Sequence, residues 1–207
     1  MTEKPPLRFA LVGNRSALDF ANTVHARRQN VDALQSASDI FDLLEQLALL
    51  PVGEVLRLRQ RATDDAPAAQ SLLDLARNFR RDFRVWLEAA PKAPDANSPL
   101  LSTINTILST GAAREMLAPD NGRWKLMSAP LEDTLTLALV PFARSAAEII
   151  AEGDGAPVRK CGNPRCPLYF YDTSRNGKRR WCSMESCGNQ AKVRAHLDRK
   201  GHIHAAE

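Results

Sequence analysis

The sequence predicts a mainly α, α+β protein. A helical N-terminal domain holds a small antiparallel sheet of two or three strands, and a compact C-terminal module of a β-hairpin plus a helix follows it. Three observations carry this reading. Apolar residues recur at helical spacing through most of residues 17–152. Only a few short apolar runs, bounded by turn residues, read as strands. All four cysteines crowd between Cys161 and Cys187, far from the helical stretch. Gly153-Asp154-Gly155-Ala156-Pro157 reads as a linker, so the expected division is a domain over 1–155 and a module over 156–207.

Taken in order, Leu7 to Val12 is an expected strand that ends at Gly13-Asn14. Ser16 can cap a helix from Ala17 to about Arg28, with Asp19 in the first turn, where a carboxylate meets the helix dipole favourably. Ser38-Asp39 opens a second helix that buries Ile40, Phe41, Leu44, Leu47 and Ala48 and stops before Pro51. Gly53 to about Ala62 reads as a third. Asp64-Asp65-Ala66-Pro67 starts a longer helix to Ala90, whose core stripe is Leu72, Leu75, Ala76, Phe79, Phe83 and Trp86. Arg77, Arg80, Arg81 and Arg84 run opposite that stripe, within reach of Asp74, Asp82 and Glu88, and read as a solvated face. Pro91 to Ser98 is a loop, and Pro99 suits the first turn of a helix ending near Gly111. Arg114 to Ser128 reads as a hairpin around Pro119-Asp120-Asn121-Gly122, which joins Leu7–Val12 in one sheet. Asp133 begins a helix through Glu152, with a kink expected at Pro141.

The cysteines are spaced as Cys161-x4-Cys166, fifteen residues, then Cys182-x4-Cys187. Two pairs of equal spacing across a short connector read as a tetrahedral metal site, and four thiolates favour one Zn²⁺. Two disulfides would need an oxidising compartment, and residues 1–30 show no secretory signal, so a cytoplasmic protein is expected. Tyr169-Phe170-Tyr171 is strand-like, residues 172–177 are turn chemistry, and Arg179-Arg180-Trp181 is the expected return strand. Ser183 can then cap a helix from Met184 to about Arg199. That order is treble-clef-like. Four protein ligands close the coordination sphere, so the metal is structural and activates no water.

Charge is unevenly placed. Residues 159–204 carry eleven Lys/Arg and three Asp/Glu, a net of +8, whereas the rest of the chain is −4. A basic module on a mildly acidic body points to a polyanion. Candidate contacts are Arg175, Lys178, Arg179 and Arg180 on the hairpin and its turn, and Asn189, Gln190, Lys192 and Arg194 on the last helix, with His196 as a further base reader. Tyr169 and Tyr171 keep RNA open through stacking, although packing within the hairpin is the plainer role. A protein-interaction module is the other reading, with basic residues set against acidic protein surface. No nucleophile elbow, HExxH, phosphate loop or dinucleotide fingerprint occurs, so no enzyme and no catalytic residue is expected. No apolar run approaches a membrane span.

The run Cys161…Cys166…Phe170-x-Asp172-Thr173-Ser174-Arg175-Asn176…Arg179-Arg180-Trp181-Cys182-Ser183-Met184…Cys187-Gly188-Asn189-Gln190-Ala191-Lys192 strongly resembles the CGNR-type zinc finger. Ala17-Leu18-Asp19-Phe20-Ala21-Asn22-Thr23 resembles the signature near the start of the ABATE domain, which precedes that finger. The resemblance implies a bacterial transcription regulator that binds DNA, with a small-molecule effector for the N-terminal domain. It also makes Asp19, Asn22 and Thr23 candidates for a pocket wall or for a surface facing the finger. The family's name-giving arginine is Gln190 here.

Overall fold

The structure, a computed structural model, describes residues 9–24, 31–89, 94–111, 113–120, 123–130, 134–194 and 197. The chain divides into two compact units. Met1–Ala33 joins Ala156–Glu207 in one, and Leu34–Gly155 forms the other. Of the first 33 residues, the described ones, 9–24 and 31–33, group with the cysteine module.

The helical unit contains α2 (Ala37–Gln46), α3 (Val52–Asp64), α4 (Ala66–Glu88), α5 (Pro99–Thr110), β1 (Ala113–Asp120), β2 (Arg123–Pro130), a 3-10 turn (Leu135–Leu139) and α6 (Val140–Ala151). It is assembled around α4, which touches α2, α3, α5 and the 3-10 turn. Asp65 caps α4 by accepting from Ala68 N at 2.9 Å, and Pro67 sits in the first turn, where its missing N–H costs nothing. Leu72, Leu73, Ala76, Phe79, Phe83 and Leu87 are buried along it. Arg80 is buried as well, which corrects the expected solvated arginine face: the inward stripe is wide enough to include it. Arg77 donates twice to Leu34 O, at 2.8 and 3.1 Å, and so braces the start of the unit.

Two further expectations change. Pro141 does not kink a long helix. The chain runs as a 3-10 turn to Leu139 and restarts as α6, with the proline in the new first turn, where no backbone bond is forfeited. β1 and β2 pair antiparallel from Ala113↔Pro130 to Asp120↔Arg123, around residues 121–122, which lie outside the described residues. This sheet is two-stranded: residues 9–12 form no strand, and Leu7 and Arg8 fall outside the described residues. No described helix is long and apolar enough to cross a membrane.

The other unit contains α1 (Ser16–Asn22), β3 (Val158–Lys160), β4 (Tyr169–Tyr171) and a π-turn (Met184–Gly188) that leads into helix over 189–194. α1 ends at Asn22, and residues 25–28 of the expected longer helix lie outside the described residues. β4 pairs with β3, in the register Val158↔Tyr171, Arg159↔Phe170 and Lys160↔Tyr169. The expected partner, Arg179-Arg180-Trp181, is not a strand. The first cysteine pair lies in the loop of the β3–β4 hairpin, so the strands flank Cys161 and Cys166 rather than following them.

Candidate metal centre and the surface around it

β4 alternates as a strand must. Leu168 and Phe170, both fully buried, pack with Cys161, Cys166, Cys182 and Cys187 into one small core, against which Ala10, Val12 and Trp181 also rest. Tyr169 and Tyr171 turn the other way. Tyr169 is buried with Lys160 Nζ 5.7 Å from its ring centroid, and the Arg15 guanidinium lies 4.5 Å over the half-buried Tyr171.

The four sulfurs lie within 4.8 Å of one another, and all four cysteines are buried. Cys182 Sγ is 3.7 Å from both Cys166 Sγ and Cys187 Sγ. A tetrahedron with Zn–S of about 2.3 Å has sulfur–sulfur edges of about 3.8 Å, whereas a disulfide needs about 2.05 Å, so the spacing is that of a metal cage. Cys182 N–H points at Cys161 Sγ, 3.4 Å away. Thiol electrostatics agree with the geometry. Hydrogen bonds from the Cys166 and Cys182 thiols drive Cys161 down. Donating to Cys161 pushes Cys166 up to about 12, and Cys182 upward too. Donation to Cys161 is what keeps the Cys166 and Cys182 thiols protonated, and a central dication would favour their thiolates instead.

Around the cage, the 172–179 turn closes on one carboxylate. Asp172 Oδ1 accepts from Ser174 N at 3.0 Å and Ser174 Oγ at 2.5 Å, and Oδ2 accepts from Arg159 Nε and Arg179 N, each at 3.0 Å. The Ser174 hydroxyl first, with the other donors, holds Asp172 below the usual carboxylate range. Arg179, expected on the nucleic-acid surface, is spent inside the module. Its guanidinium lies 4.4 Å over Phe170, Nε donates to Trp181 O at 2.9 Å, and Nη2 donates to Cys182 O. Arg175, Lys178, Arg180, Asn189, Gln190, Lys192 and Arg194 are exposed, with Arg180 5.0 Å over the Trp181 ring. Asn189 Nδ2 donates to Glu185 O at 3.1 Å. Gln190 Oε1 accepts from Asn163 Nδ2 at 3.0 Å, tying the last helix to the first cysteine knuckle. His196 lies outside the described residues.

The N-terminal motif meets this module at the free edge of β4. The amide of Asn22 acts as a length of strand: Oδ1 accepts from Tyr169 N and Nδ2 donates to Tyr169 O, both at 2.9 Å. Tyr171 N donates to Gly13 O at 2.8 Å, and Asn14 Nδ2 donates to Tyr171 O at 3.0 Å. All four backbone groups on that edge are thereby paired. Asn14 takes a left-handed φ of 59° to do this, a conformation asparagine tolerates. Asp19 Oδ1 accepts from Gly13 N at 2.7 Å; a Cβ on Gly13 would stand 2.7 Å from Asp19 N, so the approach requires glycine. Burial pushes Asp19 up to about 6 despite the Gly13 and Val12 amides that favour its anion. Thr23 Oγ1 donates to Phe20 O at 2.7 Å, and Ala33 N donates to Thr23 O at 2.8 Å. Sequence reasoning missed Gly13, Asn14 and Asn163. Asn163 carried a signal, since Cys161-Gly162-Asn163 repeats the Cys187-Gly188-Asn189 of the second knuckle.

Two family models match. The CGNR zinc finger covers residues 158–200. ABATE, described as "Putative stress-induced transcription regulator", covers residues 14–153. That second match begins inside the cysteine-bearing unit and continues through the helical one. Curated proteins gave no match. The finger match and the sulfur geometry together establish one structural zinc ion held by four cysteines.

Proposed function

Since the chain belongs to the ABATE family and carries a CGNR zinc finger, we propose that it is a transcriptional regulator whose finger binds DNA. The observation that supports this reading is the exposed basic set around the zinc core. Arg175, Lys178, Arg180, Lys192 and Arg194 all face solvent, while Arg159 and Arg179 are spent on internal bonds. Exposed cations neutralise backbone phosphate, and Asn189, Gln190 and Arg194 on one helix are the side chains that would read bases. The zinc orders that display and takes no part in chemistry.

A mobility-shift titration of the full zinc-loaded chain tests this, with duplex DNA, RNA and an acidic polypeptide as competitors. The expected result is a DNA complex that weakens with salt and disappears on chelation. Competition by the acidic polypeptide alone would replace this reading with a protein-interaction module.

A further inference from the structure

Asn163, Pro164 and Arg165 of the first knuckle, Trp181 before the third cysteine, and Gln190, Ala191 and Arg194 of the last helix line a cavity of about 350 Å³ beside the zinc core. Its walls are apolar where Trp181, Pro164 and Ala191 stand. Its polar equipment is one-sided. The buried Asn163 uses its carbonyl on Arg165 N at 3.1 Å and its amide on Gln190 Oε1, and among the described residues no acceptor engages Gln190 Nε2. Among the described residues no hydrogen bond or ion pair engages the guanidinium of Arg165 or of Arg194. A pocket that offers guanidinium and amide donors beside an indole suits an anion with a flat apolar body.

We propose that this cavity receives one unpaired nucleotide of a nucleic-acid strand, its base against Trp181 and its phosphate between Arg165 and Arg194. The proposal rests on the nucleic-acid reading of the finger and narrows it to a strand element with an accessible base. A lone phosphate would leave the indole wall unused, and an apolar ligand would strand both arginines.

The test compares a short oligothymidylate with an abasic strand of equal phosphate number, bound to the full zinc-loaded chain at several salt concentrations. The abasic strand should bind roughly 5-fold more weakly, the low end of what one base on an aromatic side chain provides, because the Arg180 guanidinium already lies 5.0 Å over the Trp181 ring. Arg165→Gln with Arg194→Gln should flatten the salt dependence by about 1.4, the share of two phosphate contacts on a single strand. Because Trp181 also packs on the zinc core, the wall is tested from the helix side. Ala191→Leu fills the cavity and should narrow the difference between the base-bearing and the abasic strand, because the base loses its seat. Equal affinity for the two strands, with the salt dependence intact, would overturn the pocket and leave general phosphate binding standing. Failure of every strand and every duplex to bind would remove both.

Discussion

Asn22 has no charge and no reactive chemistry, yet it gives one backbone donor and one backbone acceptor of β4 their partners. Asn22→Ala leaves both unpaired in a buried setting and is expected to cost roughly 2–4 kcal/mol in denaturant unfolding of the zinc-loaded chain. Asn22→Asp should cost no less, since a carboxylate cannot donate to Tyr169 O. Asp19 adds a pH dependence. Its folded pKa, about 6, stands above the ordinary 3.8, so the folded chain keeps a proton that the unfolded chain releases. This contribution is fully present below about pH 4 and shrinks by roughly 3 kcal/mol as pH climbs to about 6. Asp19→Asn does not titrate, so its stability relative to the parent should rise across that window when both are measured in excess zinc. A difference that stays flat from pH 4 to 6 would show that Asp19 does not titrate there. Gln190 accepts from Asn163, which an arginine cannot do. Gln190→Arg should therefore lower thermal stability while steepening the salt dependence of duplex binding by about 0.9.

At the scale of elements, α2 ends on a non-glycine residue in glycine's conformation. Ala48 sits at φ 50°, with Ala48 N bonded to Glu45 O and Leu49 N to Leu44 O, the double closure of a Schellman turn. The residue is exposed, so nothing is packed on its methyl. Ala48→Gly should raise stability by about 0.5–1 kcal/mol, read as a shift in unfolding midpoint at constant m-value. Elements were unevenly legible in the sequence. α4 was plain because its apolar period runs for many turns and its start carries Asp65 and Pro67. The pairing of β4 was not, because a strand's partner is not a local property. Both Val158–Lys160 and Arg179–Trp181 were near enough to close a hairpin, and β4 pairs with the former. Arg80 was misread because guanidinium chemistry says nothing about which side of a wide buried stripe it falls on.

For the whole molecule, the cysteine spacing made the metal centre readable in advance, since four thiolates at paired intervals leave few alternatives. The family resemblance pointed α1 toward either a pocket or the finger, but the residue it meets was not legible, because Asn22 and Tyr169 lie 147 residues apart. The resulting unit ties the metal to the N-terminus. Structural zinc contributes roughly 10–16 kcal/mol of apparent binding energy in small modules, so chelation should unfold the module and release α1 with it. Hydrogen exchange should then rise together over residues 13–23 and 158–194, while α4 keeps its protection. Protection retained over 13–23 after zinc removal would show the two segments to be independent. Exposed cations around an ordered zinc core should engage nucleic-acid phosphate, and the salt dependence of duplex binding reads that engagement. With four to five phosphates engaged, the logarithm of the binding constant should fall against the logarithm of salt with a slope of about −3.6 to −4.5. Replacing Arg175 and Arg180 by glutamine should bring that slope about 2 closer to zero. A slope near zero in the parent, or one unchanged by the double substitution, would show that these cations do not bind phosphate.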